Sequence, residues 1–148
     1  MALKIRQRSD LKRPLEILEG SGFRVMVRHL GPEQTKELER LTTVEKFDRA
    51  SGAMQPSIDW DKWKLLAPEY LIDASGCDGL TNGIIRRLGI DLEEDLPADS
   101  NGFVECTLDV LRDLWVNAHA EKFPAPIQRF SREMLSFVEA EKKRNQTH

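Results

Sequence analysis

The chain has 148 residues, a mass of 17.0 kDa and a formal net charge of −3. With 40% apolar and 32% charged residues it is too apolar for wholesale disorder, and it can bury one ordinary core or two small subdomains that share a surface. Its acidic balance argues against nucleic acid and anionic membranes as partners. No apolar run approaches the ~20 residues that span a bilayer, and the first residues lack a signal-peptide stretch, so we expect a cytoplasmic protein.

The first thirty residues are expected to form strands. Residues 2–8, 15–17 and 23–27 alternate apolar and polar side chains, and a turn at 19–22 joins the second run to the third as a β-hairpin. Because two or three strands are not stable alone in water, a helix should cover one face. Several basic side chains precede the turn, and we interpret them as a solvated strand face: Lys4, Arg6, Arg8, Lys12 and Arg13.

The covering helix is predicted to begin at Pro32, because proline suits the first helical position. Its apolar side should continue to residue 47 and consists of Leu38, Leu41, Val44 and Phe47. Small and polar residues follow, interrupted by Gly52 and Pro56. Residues 51–58 are therefore predicted to be a linker.

The central stretch carries two tryptophans, Trp60 and Trp63, at helical spacing. Asp59 can cap the start of this helix. Pro68 leaves two alternatives, a kink in one helix or a second helix that begins there. Residues 75–79 contain two glycines and are predicted to be a turn that no regular element crosses.

A short helix is predicted at residues 80–88, capped by Thr81 or Asn82 and ended by Gly89. An acidic segment follows. If Gly102 took the sharp turn of an EF-hand loop, the first and last ligand positions would fall on Pro97 and Leu108, which carry no carboxylate. We therefore expect a solvated loop and no metal.

The last third should form two helices. The first has an apolar stripe of Val104, Leu108, Leu111, Trp115 and Ala118, and the second one of Ile127, Phe130, Met134 and Phe137. The proline-containing residues 123–126 separate them, so they should form a helical hairpin that packs on the Trp60 helix.

These elements predict an α+β fold that is mostly helical. A small N-terminal hairpin or sheet covered by a helix occupies residues 1–50, the linker occupies 51–58, and a helical subdomain occupies 59–148.

Catalytic signatures are missing from the sequence. His29, His119 and His148 are scattered without a neighbouring nucleophile, and neither a phosphate-binding nor a dinucleotide-binding motif is present. Cys77 and Cys106 match no zinc or redox spacing and are expected to be free thiols. We expect no cofactor, no metal and no enzymatic activity.

The helices carry more large apolar residues than one small core requires, which favours partner binding. We expect the partner to contact the C-terminal helical hairpin, since it combines apolar faces with a charged end. The candidate partner-binding residues are Leu111, Trp115, Phe130, Met134 and Phe137.

The order of these segments resembles the tail assembly chaperones of long-tailed bacteriophages. The likeness is carried by FRVMVRHL at 23–30, GPEQTKELERLTTVEKF at 31–47, YLIDASGCDGLTNG at 70–83, and the helical residues 103–144 after the acidic loop. The family's apolar–Asp–Trp–x–Gly turn corresponds to residues 72–76, with Ala74 where tryptophan is usual.

The resemblance implies an assembly factor that is not an enzyme. Such chaperones bind the aggregation-prone tape measure protein, help tail tube protein subunits to assemble around it, and stay in the host cytoplasm instead of the mature virion. In several phages a frameshifted, longer product is also made. The resemblance implies no nucleic-acid or membrane partner and is compatible with a homo-oligomer. Two alternatives stay open: another helical protein–protein interaction module, such as a different phage morphogenesis factor or a regulator, and an enzyme of unrecognised type.

Overall fold

A computed structural model describes residues 11–134 of the protein. In chain order its elements are β1 (Lys12–Glu16), β2 (Arg24–Arg28), α1 (Pro32–Thr42), β3 (Thr43–Asp48), β4 (Ala53–Ile58), α2 (Trp60–Leu71), β5 (Ile72–Asp78), α3 (Asn82–Arg87), α4 (Leu108–Asn117) and a last helix, α5, described over residues 124–134. The strand expected at residues 2–8 and the end of the last predicted helix lie outside the described residues. Among residues 11–134 no helix is long and apolar enough to cross a membrane.

A three-stranded antiparallel sheet, in the order β1-β2-β5, forms one part of the fold. The β1–β2 hairpin confirms the prediction, and its turn is held by Glu16, whose carboxylate accepts hydrogen bonds from the backbone N–H groups of Gly20 and Gly22 at 3.0 and 3.2 Å. These two bonds lower the pKa of Glu16. Val25 and Val27 lie on the same side of β2 and are fully buried.

The third strand, β5, corrects the predicted turn at residues 75–79. The pairing of β2 with β5 continues to Arg24 and Asp78, with an irregularity between Arg24 and Met26. Gly76 permits this approach, because a Cβ there would lie 2.7 Å from the Cβ of Met26. The glycine that signals a turn is here a point of close packing between strands.

Helix α1 begins at Pro32 as predicted but ends at Thr42, so its predicted continuation to residue 47 is wrong. The hydroxyl of Thr42 donates to the carbonyl of Leu38 at 2.8 Å, and Thr43 starts β3. Consecutive β-branched residues favour the extended chain that follows. The predicted linker at 51–58 is also largely wrong, because β4 occupies residues 53–58 and pairs with β3 over six positions. We call these two strands the ribbon.

Helix α2 has the predicted cap. The carboxylate of Asp59 accepts hydrogen bonds from the N–H groups of Asp61 and Lys62 at 3.1 and 3.4 Å. Of the two alternatives for Pro68, a second helix is not observed, since one helix continues through it to Leu71. The predicted pairing with the C-terminal hairpin is confirmed for α4, which packs on α2.

The prediction of a mostly helical chain with one small N-terminal sheet is wrong. Within residues 11–134 the fold is mixed, with about 40% helix and 27% strand, and it has a two-stranded sheet in addition to the three-stranded one. β5, which follows α2, completes the sheet that the N-terminal hairpin begins. Segments on both sides of the predicted linker contribute to one core cluster, including Val27, Leu71, Leu111 and Ile127.

Candidate partner-binding groove

The predicted partner-binding residues lie mainly inside the molecule. Leu111, Trp115 and Met134 are buried, and Phe130 is half-buried against the core. Phe137 lies outside the described residues. The described four lie in or against the core cluster, and Trp115 also lines an open groove.

This groove has a volume of about 770 Å³ and lies between α1, α2, α4 and α5. Its apolar lining includes Leu30, Ile58, Trp60, Trp63, Val116 and Pro124. Trp60 is 59% exposed and Val116 is 45% exposed, so the wall of the groove presents large apolar side chains to solvent. A concave apolar surface of this size is typical of a binding site.

A row of aromatic rings connects the groove with the core. Trp60 and Trp63 lie 5.8 Å apart, centroid to centroid, with their planes at 67°. Trp63 then contacts Trp115, which packs edge-on against Phe123 at 6.1 Å. Edge-to-face contacts fix ring orientation, so the exposed Trp60 is held by successively more buried neighbours.

Charged side chains border the groove. Lys64 on α2 and Arg132 on α5 are cationic, and Glu39 on α1 is anionic. Within residues 11–134, none of the three forms an ion pair. The border therefore carries a small net positive charge that is available to a partner.

The sequence analysis noted Trp60 and Trp63 for their helical spacing but did not select them, or Val116, as candidate binding residues. A signal was present for Trp60, which is the first residue of α2. A helical side chain points toward the turn before it, and at the first position no helical turn exists to cover the ring. Val116 carried no such signal. It follows a residue of the buried stripe in the sequence, and its exposure depends on where α5 packs.

A cavity of about 600 Å³ beside the sheet contains the cations Lys12 and Arg28. The Lys12 ammonium lies 2.8 Å from Asp73, and Arg28 lies 3.8 Å from the same carboxylate. The hydrogen bonds from Lys12 and Ser75 lower the pKa of Asp73 to about 2. Asp73 thus pairs with both cations and ties β1, β2 and β5 together, which gives Lys12 and Arg28 a structural role in the sheet.

Cys77 and Cys106 are both free and line a shallow cavity of about 540 Å³. Burial raises the pKa of Cys77 to about 11, and burial also raises the pKa of Cys106. A thiol that resists ionisation is a poor nucleophile and a poor metal ligand. In the described part of the chain, no three His, Cys, Asp or Glu side chains cluster in a way that could hold a metal ion.

The two histidines of the described chain have structural surroundings. Nδ1 of His29 is 2.9 Å from the carbonyl oxygen of Ser131, which can only accept, so Nδ1 carries the proton. The Ser131 hydroxyl donates to the carbonyl of Arg28 at 2.7 Å. This pair of hydrogen bonds joins β2 to α5. His119 is exposed, and its backbone N–H donates to Leu88 at 2.7 Å.

Comparison of the chain with models of protein families, with curated proteins and with solved structures gave no match in any of the three. The apolar groove is therefore the feature on which a functional proposal rests.

Proposed function

We propose that the protein is a tail assembly chaperone of a long-tailed bacteriophage, which binds the tape measure protein without catalysis and delivers it for assembly of the tail tube. The observation that carries the proposal is the groove, with Trp60 and Val116 exposed on its wall. The segment order described above supplies the link to this class of proteins.

The shape and chemistry of the groove suit an apolar helical segment. Helices bind grooves of this kind by placing apolar side chains at intervals of three or four residues into the cleft. Trp60 and Trp63 offer two aromatic contacts one turn apart, and aromatic side chains contribute strongly to binding at the centre of interfaces. Lys64 and Arg132 at the border favour acidic residues beside the apolar ones.

The test is co-expression with the tape measure protein encoded in the same genome, followed by pull-down at about 0.05 M and about 0.5 M salt. We expect the tape measure protein to become soluble and to stay bound at high salt, because screening weakens exposed charges and not apolar burial. Trp60→Asp and Val116→Asp should abolish this effect, since each introduces a charge into the groove.

Leu65→Asp is the matched control. Leu65 lies on the same helix as Trp60 and is 57% exposed, but it does not line the groove. It should leave binding unchanged, and circular dichroism should show all three variants folded. If the tape measure protein stays insoluble with the wild-type chain, the proposal is wrong. If the partner binds but the groove variants behave like Leu65→Asp, the groove is not its site.

The alternative of a different interaction module has a simpler test. A slippery run of bases near the stop codon, followed by a long reading frame for a helical protein, would favour the chaperone. A neighbourhood without either would favour the alternative.

A further inference from the structure

The ribbon has one apolar face and one polar face. In its register Phe47 pairs with Met54, and Glu45 pairs with Pro56. Residues paired directly across two antiparallel strands point to the same side, and alternate residues share that side. Phe47, Met54, Pro56 and Ile58 therefore lie on one face with Glu45 and Thr43. The other face is mostly polar and consists of Lys46, Asp48, Gln55 and Ser57 together with Val44 and Ala53.

The apolar face of the ribbon is largely uncovered. Phe47 is 63% exposed and Met54 is 56% exposed. Among β1–β5 and α1–α4, the two strands of the ribbon make extensive contacts only with each other. A hydrogen bond from Asp59 N–H to the Thr42 carbonyl, 2.8 Å long, closes the base of the ribbon. A two-stranded sheet is marginally stable alone, so a surface that covers Phe47 and Met54 would stabilise it.

The edges of the ribbon are protected against strand addition. Pro56 cannot donate a hydrogen bond from β4, and β3 carries the charged neighbours Glu45 and Lys46. Both features are typical of edges that avoid pairing with another strand. The face of the ribbon, rather than its edge, is therefore the surface available for binding.

The apolar face continues into the groove. Ile58, the last residue of β4, also lines the groove next to Trp60. The two surfaces are therefore contiguous on one side of the molecule, and they are complementary in charge. The ribbon face carries the unpaired Glu45, and the groove border carries the unpaired Lys64 and Arg132 against a single anion, Glu39, within residues 11–134.

We infer that the occupant of this surface is a second copy of the chain. The ribbon face of each copy covers the groove of the other, with Phe47 and Met54 against Trp60 and Val116, and with Glu45 beside Lys64. A twofold axis near Ile58 makes both contacts at once, because ribbon and groove are adjacent on the same side, and such an exchange closes as a dimer. This inference goes beyond the proposed function. Because the ribbon of the second copy and a tape measure segment would occupy the same groove, the tape measure protein must displace that ribbon before it binds.

The test uses the purified full-length chain alone, in sedimentation equilibrium between about 1 µM and about 100 µM. We expect a mass twice the 17.0 kDa of one chain at the upper concentrations. Phe47→Asp and Val116→Asp should each raise the dissociation constant at least ~10-fold, because each places a charge in the apolar contact. Met54→Gln, a milder change on the same face, should act in the same direction.

The charge contact has its own test. Glu45→Lys should weaken the dimer, and Glu45→Lys combined with Lys64→Glu should restore much of the loss, since the pair is then reversed. Lys46→Glu is the control on the opposite face and should change the dissociation constant by less than about twofold. Circular dichroism and urea unfolding establish that each variant is folded.

Two results would overturn the inference: a monomer throughout the concentration range, or a dimer that neither Phe47→Asp nor Val116→Asp weakens. Because the tape measure protein is absent, failure here is separate from failure of the chaperone proposal. A monomer that still solubilises the tape measure protein refutes the dimer and supports the chaperone.

Discussion

The indole rings of Trp63 on α2 and Trp115 on α4 lie 6.2 Å apart, centroid to centroid, with their planes tilted by 49°. This contact joins the central helix to the C-terminal half of the chain. It also forms the inner wall of the groove, so the same two rings contribute to stability and to the candidate binding surface.

Replacing Trp115 by alanine should therefore destabilise the fold. The side chain is only 3% exposed, and its loss removes apolar burial and leaves a cavity. We expect Trp115→Ala to lower the free energy of unfolding by ~3–5 kcal/mol, measured by urea unfolding followed by circular dichroism. The exposed Trp60→Ala, as control, should change it by less than ~1 kcal/mol. A loss below ~1 kcal/mol for Trp115→Ala would contradict the observed packing.

Gly79 should not tolerate a side chain. It has a φ of +82°, and a Cβ there would overlap the carbonyl group of Gly22. Gly20 provides a matched control, because it has a φ of +80° but open space around it. Both Gly20→Ala and Gly79→Ala carry the backbone strain of a left-handed residue, of order 1–3 kcal/mol.

Only Gly79→Ala adds the clash, which should lower the free energy of unfolding by a further ~1–3 kcal/mol. The difference between the two variants in the free energy of unfolding, measured in urea, gives the cost of the clash between a Cβ at Gly79 and the carbonyl of Gly22. Equal losses would mean that the loop at Gly79 does not pack on the hairpin turn.

Asp73 should make the stability of the fold fall at acid pH. Its pKa is about 2 in the folded chain and 3.8 ordinarily, so the ionised carboxylate stabilises the fold above about pH 4. This contribution is lost as the pH falls from about 4 to about 2. Asp73→Asn should lower the free energy of unfolding by ~1 kcal/mol at pH 7, a figure reduced because Lys12 is partly exposed and screened.

Urea unfolding of wild type and Asp73→Asn at pH 7, 4 and 2.5 checks this, and the difference should shrink at the lowest pH. Asp95→Asn, as control, breaks the exposed ion pair with Arg86 and should change the free energy of unfolding little at any of the three pH values. A difference between wild type and Asp73→Asn that is constant with pH would show that the ion pair does not depress the pKa.

The thiols should be slow to react in the folded protein. Raising the pKa of Cys77 from 9.0 to about 11 lowers its thiolate fraction near pH 8 about 100-fold. Iodoacetamide should therefore label Cys77 far more slowly in native protein than in urea, where mass analysis should find both cysteines labelled. Native labelling at the rate of an exposed cysteine would contradict the burial of the thiol.

Local signals in the sequence were sufficient to predict several elements. The hairpin of β1 and β2, the start of α1 at Pro32, and the caps at Asp59 and Thr81 depend on side chains that hydrogen-bond or fix the backbone within a few residues. The burial of Trp115 followed from a stripe whose period matches a helix. These features can be predicted without knowing which distant segments pack against them.

Long-range packing decided the remaining features. Residues 75–79 contain two glycines, a pattern typical of a turn, yet residues 75–78 belong to β5, because β2 offers an unpaired edge and Met26 leaves room only for Gly76. The ribbon was predicted to be part helix and part linker, because Phe47 fits a helical stripe and Pro56 suggests a break. Its strands are paired with each other, and that pairing is not visible in either segment alone.

The sequence by itself determined where caps, turns and apolar stripes occur, since these follow from contacts between near neighbours along the chain. Only the tertiary structure decided which apolar side chains form the core and which form the groove. Leu111, Trp115 and Met134 have the same apolar character as Trp60 and Val116, but the folded chain buries the first three and leaves the other two at the surface. Exposure is a property of the assembled helices, because it depends on what lies opposite a side chain and not on the side chain itself.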